Sequence, residues 1–395
     1  MLRKIMLSTS ELFINNFLAY ITKFLPLVRN RLIFNSTGNK NYNFNSRFLF
    51  EYINERFDDE IECYFVINDA YKRKEIALKN PNAHFIGTNT IKGKWFALRA
   101  KAWICSTIES PLNCLIKNNK RIVYHLGHGI PLKKIGMAEN NISFLQKINR
   151  RLKLRCFTHV TCYSPFFKDV MYDVFDKNGD IDYLELGQPR NDFILNSEND
   201  LAKYISNDLK NVYADCIKVL YSPTWRPSGV TRFFPFIDFN CVALHEFLEE
   251  NNIFIFLREH PYYKSHIPEG IYESKRIVPL NSNIVSDITP LLACFDKLIT
   301  DYSSIYLDFL VTKKEVLFIP YDLNDYQQRV GFSKSYKELA KGRYLSNFSE
   351  FLQSLTKNEM TGFDMDEYLL RLNIKSQGNC KEHYLKVKQL LICSL

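Results

Sequence analysis

The pattern that most constrains this chain is a repeated alternation of short β-rich runs with helix-like stretches, which begins near residue 60. Strands separated by helices pair in parallel, and the helices cover the sheet they form. The alternation stops over residues 196–211, a polar stretch rich in Asn, Ser, Glu and Asp, and then starts again. We therefore predict an α/β protein with two Rossmann-like domains facing each other across a cleft. The predicted strands are 61–67, 83–86, 102–105, 121–126, 158–163, 183–186, 217–221, 253–257, 276–279, 297–299 and 316–319, and the predicted helices of the second half are 242–250, 288–294 and 304–311.

The length of 395 residues agrees with this division, because it exceeds what a single core usually holds. We predict an amphipathic membrane-association segment, an N-terminal Rossmann-like domain, a C-terminal Rossmann-like domain, and a helical segment that returns across the first domain. Their bounds are 1–34, 35–200, 201–363 and 364–395.

The N-terminal segment has apolar side chains at helical spacing, with basic residues nearby. Asn15, Lys23 and Pro26 interrupt every window long enough to span a bilayer. The pattern favours an interfacial helix on an anionic membrane surface, and the alternative is a helix packed on the first domain. The apolar side chains are Phe13, Phe17, Tyr20, Ile21 and Phe24.

The net charge of +9 comes from lysines and arginines spread along the whole chain. This balance favours a phosphorylated substrate or an acidic membrane surface as partner. Nucleic acid is disfavoured, because the basic residues are not interleaved with aromatic residues on a recognisable module. The ten cysteines form no C-x-x-C pair, so we interpret them as reduced thiols of a cytosolic protein and predict no metal site.

Three common sequence signatures are absent. No G-x-G-x-x-G follows a predicted strand and no G-x-x-x-x-G-K-[ST] is found, which disfavours a dinucleotide oxidoreductase and a P-loop NTPase. There is also no small-residue cleavage pattern after the first apolar stretch, so secretion by a signal peptide is not expected.

Polar and charged side chains gather where four predicted strands end. The segments are 127–133, 222–226, 258–261 and 300–304. Ligands of open α/β sheets bind outside the carboxyl ends of the strands, so these segments are candidates for a common ligand site. His128 lies between two glycines and is the better candidate for a general base, whereas His125 has the opposite strand face and is interpreted as structural.

Residues 300–304 follow a predicted strand and lead into a predicted helix. Hydroxyl groups and the amides of a helix start are suited to an anion, and the alternative is that Asp301 or Ser303 only caps the helix. Asp308 follows one helical turn after Ser304 and is positioned to reach a ribose or polyol hydroxyl, or else lies at the rim of the core.

The other two segments supply cations. Arg226 follows Trp225, and Arg258 is followed closely by His260. Guanidinium and imidazole groups suit phosphate contacts, while a surface arginine or a structural histidine is the plain alternative for any one of them.

Five motifs, in order, resemble those of the CDP-glycerol glycerophosphotransferases, the family of the teichoic acid primases and polymerases. The resemblance implies a GT-B fold, and transfer of a polyol phosphate, glycerol phosphate foremost, from a CDP-activated donor to a hydroxyl of a lipid-linked or glycan acceptor. It implies release of CMP, no cofactor or metal, and work in teichoic acid or capsule synthesis at the cytoplasmic face of the cell membrane, as a peripheral protein. The motifs are HGIPLK at 128–133, GQPRND at 187–192, PTWR at 223–226, REHP at 258–261, and TDYSS at 300–304 with Asp308-Phe309.

The resemblance also implies roles for individual residues. His128 is similar to the family's base and His260 to its donor-phosphate histidine, and both are expected to be catalytic. Gly129 and Lys133 are expected on the acceptor side of the site. The expected donor and phosphate contacts are Arg226, Arg258, Thr300, Asp301, Ser303, Ser304 and Asp308.

Two other functions fit the same features. A nucleotide-sugar glycosyltransferase on the same GT-B fold would use the same cleft and anion site. A noncatalytic membrane-bound scaffold would retain the fold alone.

Overall fold

The computed structural model describes residues 2–57, 59–195, 200–205, 207–226, 229–259, 264–357 and 364–393, with side chains of the first helix from Ser10 onward. The chain divides into two compact units. Unit 1 is Met1–Ile130, Lys134–Asp192 and Arg371–Leu395, and unit 2 is Pro131–Lys133 and Phe193–Leu370.

The strands are β1 (Val28–Asn35), β2 (Glu62–Val66), β3 (Phe85–Ile86), β4 (Ala100–Cys105), β5 (Ile122–His125), β6 (His159–Thr161), β7 (Asp182–Leu184), β8 (Ile217–Tyr221), β9 (Thr231–Arg232), β10 (Ile253–Leu257), β11 (Ser265–His266), β12 (Ile277–Pro279), β13 (Lys297–Thr300), β14 (Glu315–Phe318) and β15 (Arg343–Tyr344). The helices are α1 (Leu2–Thr22), α2 (Phe44–Arg56), α3 (Ala70–Lys79), α4 (Ile91–Leu98), α5 (Phe144–Leu154), α6 (Pro165–Val174), α7 (Lys210–Tyr213), α8 (Cys241–Glu250), α9 (Ile305–Phe309), α10 (Leu323–Arg329), α11 (Tyr336–Leu339), α12 (Phe348–Thr356), α13 (Met365–Leu372) and α14 (Asn379–Cys393).

Each unit holds a parallel sheet that winds outward from its first strand. In the described residues, the order is β3-β2-β1-β4-β5-β6-β7 in unit 1 and β12-β10-β8-β13-β14-β15 in unit 2. Both are the doubly wound order of a Rossmann-like domain, so the predicted α/β class with two such domains is confirmed. The strand order reverses between β1 and β4 and between β8 and β13, and ligands of such sheets bind outside the carboxyl ends there.

The central strands are buried on both faces. All five residues of β10, IFIFL, are buried, as expected for a parallel strand covered by helices. Leu244 and Leu248 of α8 and Phe351 and Leu355 of α12 belong to the same core cluster as alternate residues of that strand.

The N-terminal segment is shorter than predicted. Helix α1 ends at Thr22, and residues 28–35, which we had included in a membrane-association segment ending at 34, form the central strand β1. The charged residues at the start of this strand made it hard to recognise in the sequence. In the structure, Arg31 pairs with Glu62 at 3.0 Å, and its guanidinium lies 3.8 Å from the centre of the Phe96 ring. No helix in the described part of the chain is long and apolar enough to cross a bilayer.

Other boundaries also differ. Unit 1 gives way to unit 2 at 192/193 rather than 200/201, and residues 131–133 belong to unit 2. The helix predicted over 288–294 is a 3-10 helix, Thr289–Cys294, with a proline in its first turn. The helix predicted over 304–311 is the short α9 followed by a 3-10 turn. Of the C-terminal segment predicted over 364–395, residues 371–395 belong to unit 1 and residues 364–370 to unit 2.

Candidate active site

The His128 turn, residues 127–129, follows β5 in unit 1. Gly127 has φ +77° and Gly129 φ +149°, conformations that favour glycine. A Cβ atom at Gly127 would lie 1.8 Å from the Tyr163 hydroxyl oxygen. No other residue can therefore replace Gly127 unless Tyr163 moves. The His128 side chain is exposed, and its ring lies 5.5 Å from that of Phe44. The turn therefore presents an imidazole to solvent on a tightly constrained backbone.

The two neighbouring histidines have different environments. His125 is buried, with its ring edge-on to Phe157 and Phe175. Burial, with a smaller contribution from the nearby His128, lowers the pKa of His125 to about 3, so it is neutral at physiological pH. This environment fits the structural role predicted for His125.

Three buried side chains, to which the sequence analysis gave no role, donate hydrogen bonds to three consecutive carbonyls of the His128 turn. They come from three different elements: α2, the residues after β6, and the residues after β7. The bonds are Asn45 Nδ2 to Gly127 O at 2.9 Å, Arg190 Nη1 to His128 O at 3.0 Å, and Tyr163 Oη to Gly129 O at 2.9 Å.

Lys133 and Gly129, both expected on the acceptor side, belong to different units. Gly129 is part of unit 1, and Pro131–Lys133 are part of unit 2. An antiparallel bridge joins Lys133 to Phe332, and Ser333 donates from its amide to Leu132 O at 2.8 Å. The Lys133 ammonium lies 5.5 Å from the centre of the Trp225 ring. Burial lowers the pKa of Lys133 to about 8, against the opposing effect of Asp301.

In unit 2 the segments after β8 and β13 flank the point where the strand order reverses. Arg226 and Asp301 from these segments form a cluster with Asp322, which follows β14. Arg226 Nη2 lies 2.9 Å from Asp301 Oδ2, and Arg226 Nε lies 2.7 Å from Asp322 Oδ2. Burial alone would lower the pKa of the Arg226 guanidinium, but the two carboxylates outweigh it and raise the pKa. We call these three residues the Arg226 cluster.

The Arg226 cluster also fixes the backbone around it. Asp301 Oδ1 accepts a hydrogen bond from the Thr224 amide at 2.7 Å, and Arg226 Nη1 donates to Thr224 O. Tyr302 donates to Asp322 Oδ1 at 3.0 Å. Arg226 and Asp301, both expected to contact the donor, are therefore joined to each other, an arrangement that favours shaping of the loops over direct phosphate contact.

The remaining residues of the 300–308 segment occupy two environments. Thr300 is buried, and its hydroxyl donates to Ser222 O at 2.7 Å, which ties the ends of β13 and β8 together. Asp308 is buried within α9. Ser303 and Ser304 are only partly buried, unlike Thr300 and Asp308, and the Ser303 hydroxyl accepts from the Ile305 amide at 3.4 Å.

Arg258 contacts the loop after β12. Its Nη1 donates to Leu280 O at 2.9 Å and to Val285 O at 2.5 Å. Burial lowers the pKa of Arg258 to about 10, against an opposing effect of Asp287, and the group stays cationic at neutral pH. His260, predicted to be catalytic, lies outside the described residues.

Helix α5 carries a surface feature that the sequence analysis overlooked. Phe144 and Leu145 are exposed by 76% and 77%, and Ile148 by 41%. Lys147 and Arg151 are exposed on the same helix. The signal was present in the sequence, since FLQKINRRLKL alternates apolar and basic residues at helical spacing.

No group of three or more His, Cys, Asp and Glu side chains in the described ranges is placed to hold a metal ion.

The fold defines a GT-B-like protein of two Rossmann-like units. The same fold is found in the wall teichoic acid polymerase TagF, which is 19% identical to this chain, with a TM-score of 0.68 over 100% of this chain and 97% of that one. A model of the CDP-glycerol:poly(glycerophosphate) glycerophosphotransferase family matches residues 17–375. The chain therefore belongs to that family of transferases, which confirms the resemblance seen in its motifs.

Two relatives show how far the similarity extends. A teichoic acid glycerol-phosphate transferase of Staphylococcus aureus is 28% identical over 367 residues, which cover 89% of each chain. A teichoic acid poly(glycerol phosphate) polymerase of Bacillus subtilis is 25% identical over 84% of this chain but only 44% of its own length. The match to the first protein therefore extends over most of both chains.

Proposed function

We propose that this protein transfers glycerol phosphate from CDP-glycerol to a hydroxyl of a lipid-linked or glycan acceptor in the synthesis of a teichoic acid or related surface polymer. The observation that carries the proposal is the exposed imidazole of His128 on a constrained glycine turn at the carboxyl end of β5, in a chain of this family. The S. aureus and B. subtilis relatives, named for glycerol-phosphate transfer and polymerisation, support glycerol over ribitol as the polyol.

The proposed step is a phosphoryl transfer with a side-chain base. The acceptor hydroxyl gives its proton to His128 as its oxygen attacks the β-phosphorus of CDP-glycerol. The new O–P bond forms as the bond from this phosphorus to the bridging oxygen breaks, and CMP leaves with that oxygen. The hydroxyls of Ser303 and Ser304 and the cationic Arg258 are proposed to bind the donor phosphates, together with His260. No cofactor or metal is assigned to the step.

The donor assay tests this proposal. The purified full chain is incubated with an acceptor and, in turn, with CDP-glycerol, CDP-ribitol and a panel of UDP-sugars, and nucleotide release is measured. We expect CMP release with CDP-glycerol. Release of UDP from a sugar donor would support a glycosyltransferase instead, and no release from any donor would support a scaffold.

We further propose that the protein binds the cytoplasmic face of the membrane through an exposed aromatic row, defined as Phe13, Phe17 and Tyr20 of α1 with Phe24, two residues after the helix ends. These side chains are 75%, 56%, 56% and 71% exposed. The opposite face is docked through polar contacts, in which Asn15 Nδ2 donates to Asn113 O at 2.9 Å. An exposed aromatic row beside the basic Lys23 and Arg29 suits an anionic interface better than water.

Two further features support the same partner. Helix α4, which packs against α1, exposes Ile91 by 68% and Trp95 by 36%. Helix α5 adds its own exposed apolar residues among basic ones, a pattern typical of helices that lie in a membrane interface.

Vesicle binding tests the membrane proposal. Phe13→Ser combined with Phe17→Ser is expected to weaken binding to vesicles of anionic lipid by about tenfold or more, because two exposed aromatic rings no longer enter the interface. Tyr71→Ser is the matched control, since Tyr71 is 91% exposed and lies on α3, which is not one of the three helices proposed to contact the membrane. Unchanged binding of the double variant would contradict the proposal. Substitution is used rather than deletion of 1–34, because that deletion removes most of β1.

A further inference from the structure

The His128 turn is held in an unusual way, because each of its three successive carbonyls accepts a hydrogen bond from a different buried side chain. Asn45, Tyr163 and Arg190, which supply these bonds, are 0%, 1% and 4% exposed. We call the three the turn cradle. A turn with two glycines has large conformational freedom when unsupported, so three such bonds restrict it strongly.

The members of the turn cradle are also joined to one another and to the sheet. Asn45 Oδ1 accepts from the Arg190 amide at 3.3 Å, so a single amide side chain links the turn to the residues after β7. Tyr163 has φ +66°, a left-handed conformation that is unfavourable for an aromatic residue. Its carbonyl accepts from Asn373 Nδ2 at 2.7 Å, which helps to hold that conformation.

The C-terminal return fixes the third member. Asp192, two residues after Arg190, accepts hydrogen bonds from the amides of Asn379 and Cys380 at 3.0 and 2.8 Å, at the start of α14. The carboxylate thereby caps this helix and binds the segment of Arg190 to it. Hydrogen bonds from residues 373–380 thus connect the C-terminal return to Tyr163 and to the segment of Arg190.

We propose that Asn45, Tyr163 and Arg190 are positioning residues for His128, which hold its backbone so that the imidazole is correctly placed for proton transfer. The inference rests on the proposed function, in which His128 is the base. It assigns no contact with substrate to the turn cradle. Misplacement of a reacting group by about 1 Å is enough to cost on the order of 100-fold in rate, so loss of one bond is expected to act on turnover.

Tyr163→Phe and Arg190→Ala test the turn cradle in the full-length protein. We expect kcat for CMP release from CDP-glycerol to fall about fivefold or more in Tyr163→Phe and about tenfold or more in Arg190→Ala, with KM for CDP-glycerol within about twofold of wild type. Added guanidinium is expected to restore part of the activity of Arg190→Ala. Tyr183→Phe is the matched control, because the Tyr183 hydroxyl donates to Asn178 O, a carbonyl of the same unit outside the turn.

The same substitutions made in a His128→Ala protein distinguish a positioning role from a general loss of stability. In a His128→Ala protein, Tyr163→Phe and Arg190→Ala are expected to cause less than about a twofold further loss, because residues that act through one group are not additive. Losses as large as those in the wild-type background would overturn the inference. So would unchanged kcat in both single variants, and if Arg190→Ala does not fold, Tyr163→Phe decides alone. Near-normal turnover in His128→Ala itself would instead overturn the proposed base.

Discussion

The His128 turn in unit 1 and the Arg226 cluster in unit 2 follow strands of equivalent sheets, but they are stabilised by different means. The turn is held by uncharged groups and one arginine that donate to backbone carbonyls, and its functional side chain is exposed. The Arg226 cluster is a buried ion network in which Arg226 and Asp301 are both nearly inaccessible. The first arrangement leaves an imidazole exposed to solvent, whereas the second buries a set of paired charges.

This difference suggests a division of tasks. A base must exchange a proton with the acceptor, so its backbone is held and its side chain is not enclosed. A loop that surrounds a charged donor must instead keep its shape, and paired buried charges resist displacement because separating them leaves an unpaired charge. We therefore expect the stability of the two units to respond differently to substitution and to pH.

The largest expected effect is a loss of stability of unit 2 when Asp301 is replaced. Asp301→Ala leaves the Arg226 charge without one of its two carboxylates, and we expect a loss of about 3–5 kcal/mol in the stability of this unit. Hydrogen exchange of the β8 and β13 amides measures it. The matched control is Asp366→Ala, which breaks an exposed pair with Lys313 and is expected to cost less than about 1 kcal/mol. Equal effects of the two substitutions would contradict the assignment of Arg226 and Asp301 to a buried structural network.

A smaller loss of stability is expected for unit 1 at acidic pH, where His383 becomes protonated. Burial lowers the pKa of His383 to about 4, against a hydrogen bond to Gly187 O that raises it. Between pH 6.5 and 4 the unfolded chain binds a proton that the folded chain does not, so stability is lost as pH falls through this window, by about 2–3 kcal/mol. Comparing the unfolding of His383→Gln with wild type at pH 7 and 4.5 measures the contribution. An identical pH slope in both proteins would contradict it.

The smallest effect concerns Lys133. Its folded pKa of about 8 lies below the ordinary value of 10.5, so the unfolded chain holds the proton more tightly between these values. The stability of wild type relative to Lys133→Met should therefore rise with pH from about 8 to 10.5, by on the order of 1 kcal/mol after allowance for partial exposure of the side chain. Thermal unfolding of both proteins across this range measures the difference. A flat difference would show that Lys133 is not desolvated.

The sequence predicted the parts of the fold that depend on local pattern. Apolar runs such as IFIFL at 253–257 match a strand residue for residue. Strand β1 was missed because Arg29, Asn30 and Arg31 interrupt its apolar run, and the partners of Arg31 lie far along the chain. A run broken by charge has no periodicity that separates a strand from a helix.

The candidate site was predictable in its residue types but not in its pairings. Strand ends indicated His128, Arg226 and Asp301 as candidates, and each of these residues does lie in the segment that follows a strand. The sequence does not show that Arg226 pairs with an aspartate 75 residues later, nor that a motif continuous in sequence is divided between two units after residue 130. Such pairings are set by how distant strand ends meet in the folded sheet, and no local pattern encodes them.

In the proposed function, His128 serves the chemical step while unit 2 binds the donor. This proposal is tested most directly by His128→Ala against His84→Ala, a matched exposed histidine of unit 1. We predict that His128→Ala lowers kcat for CMP release from CDP-glycerol by about 10²- to 10⁴-fold, while the Kd for CDP-glycerol from calorimetry stays within about threefold of wild type. Near-normal turnover in His128→Ala, or a loss matched by His84→Ala, would contradict it.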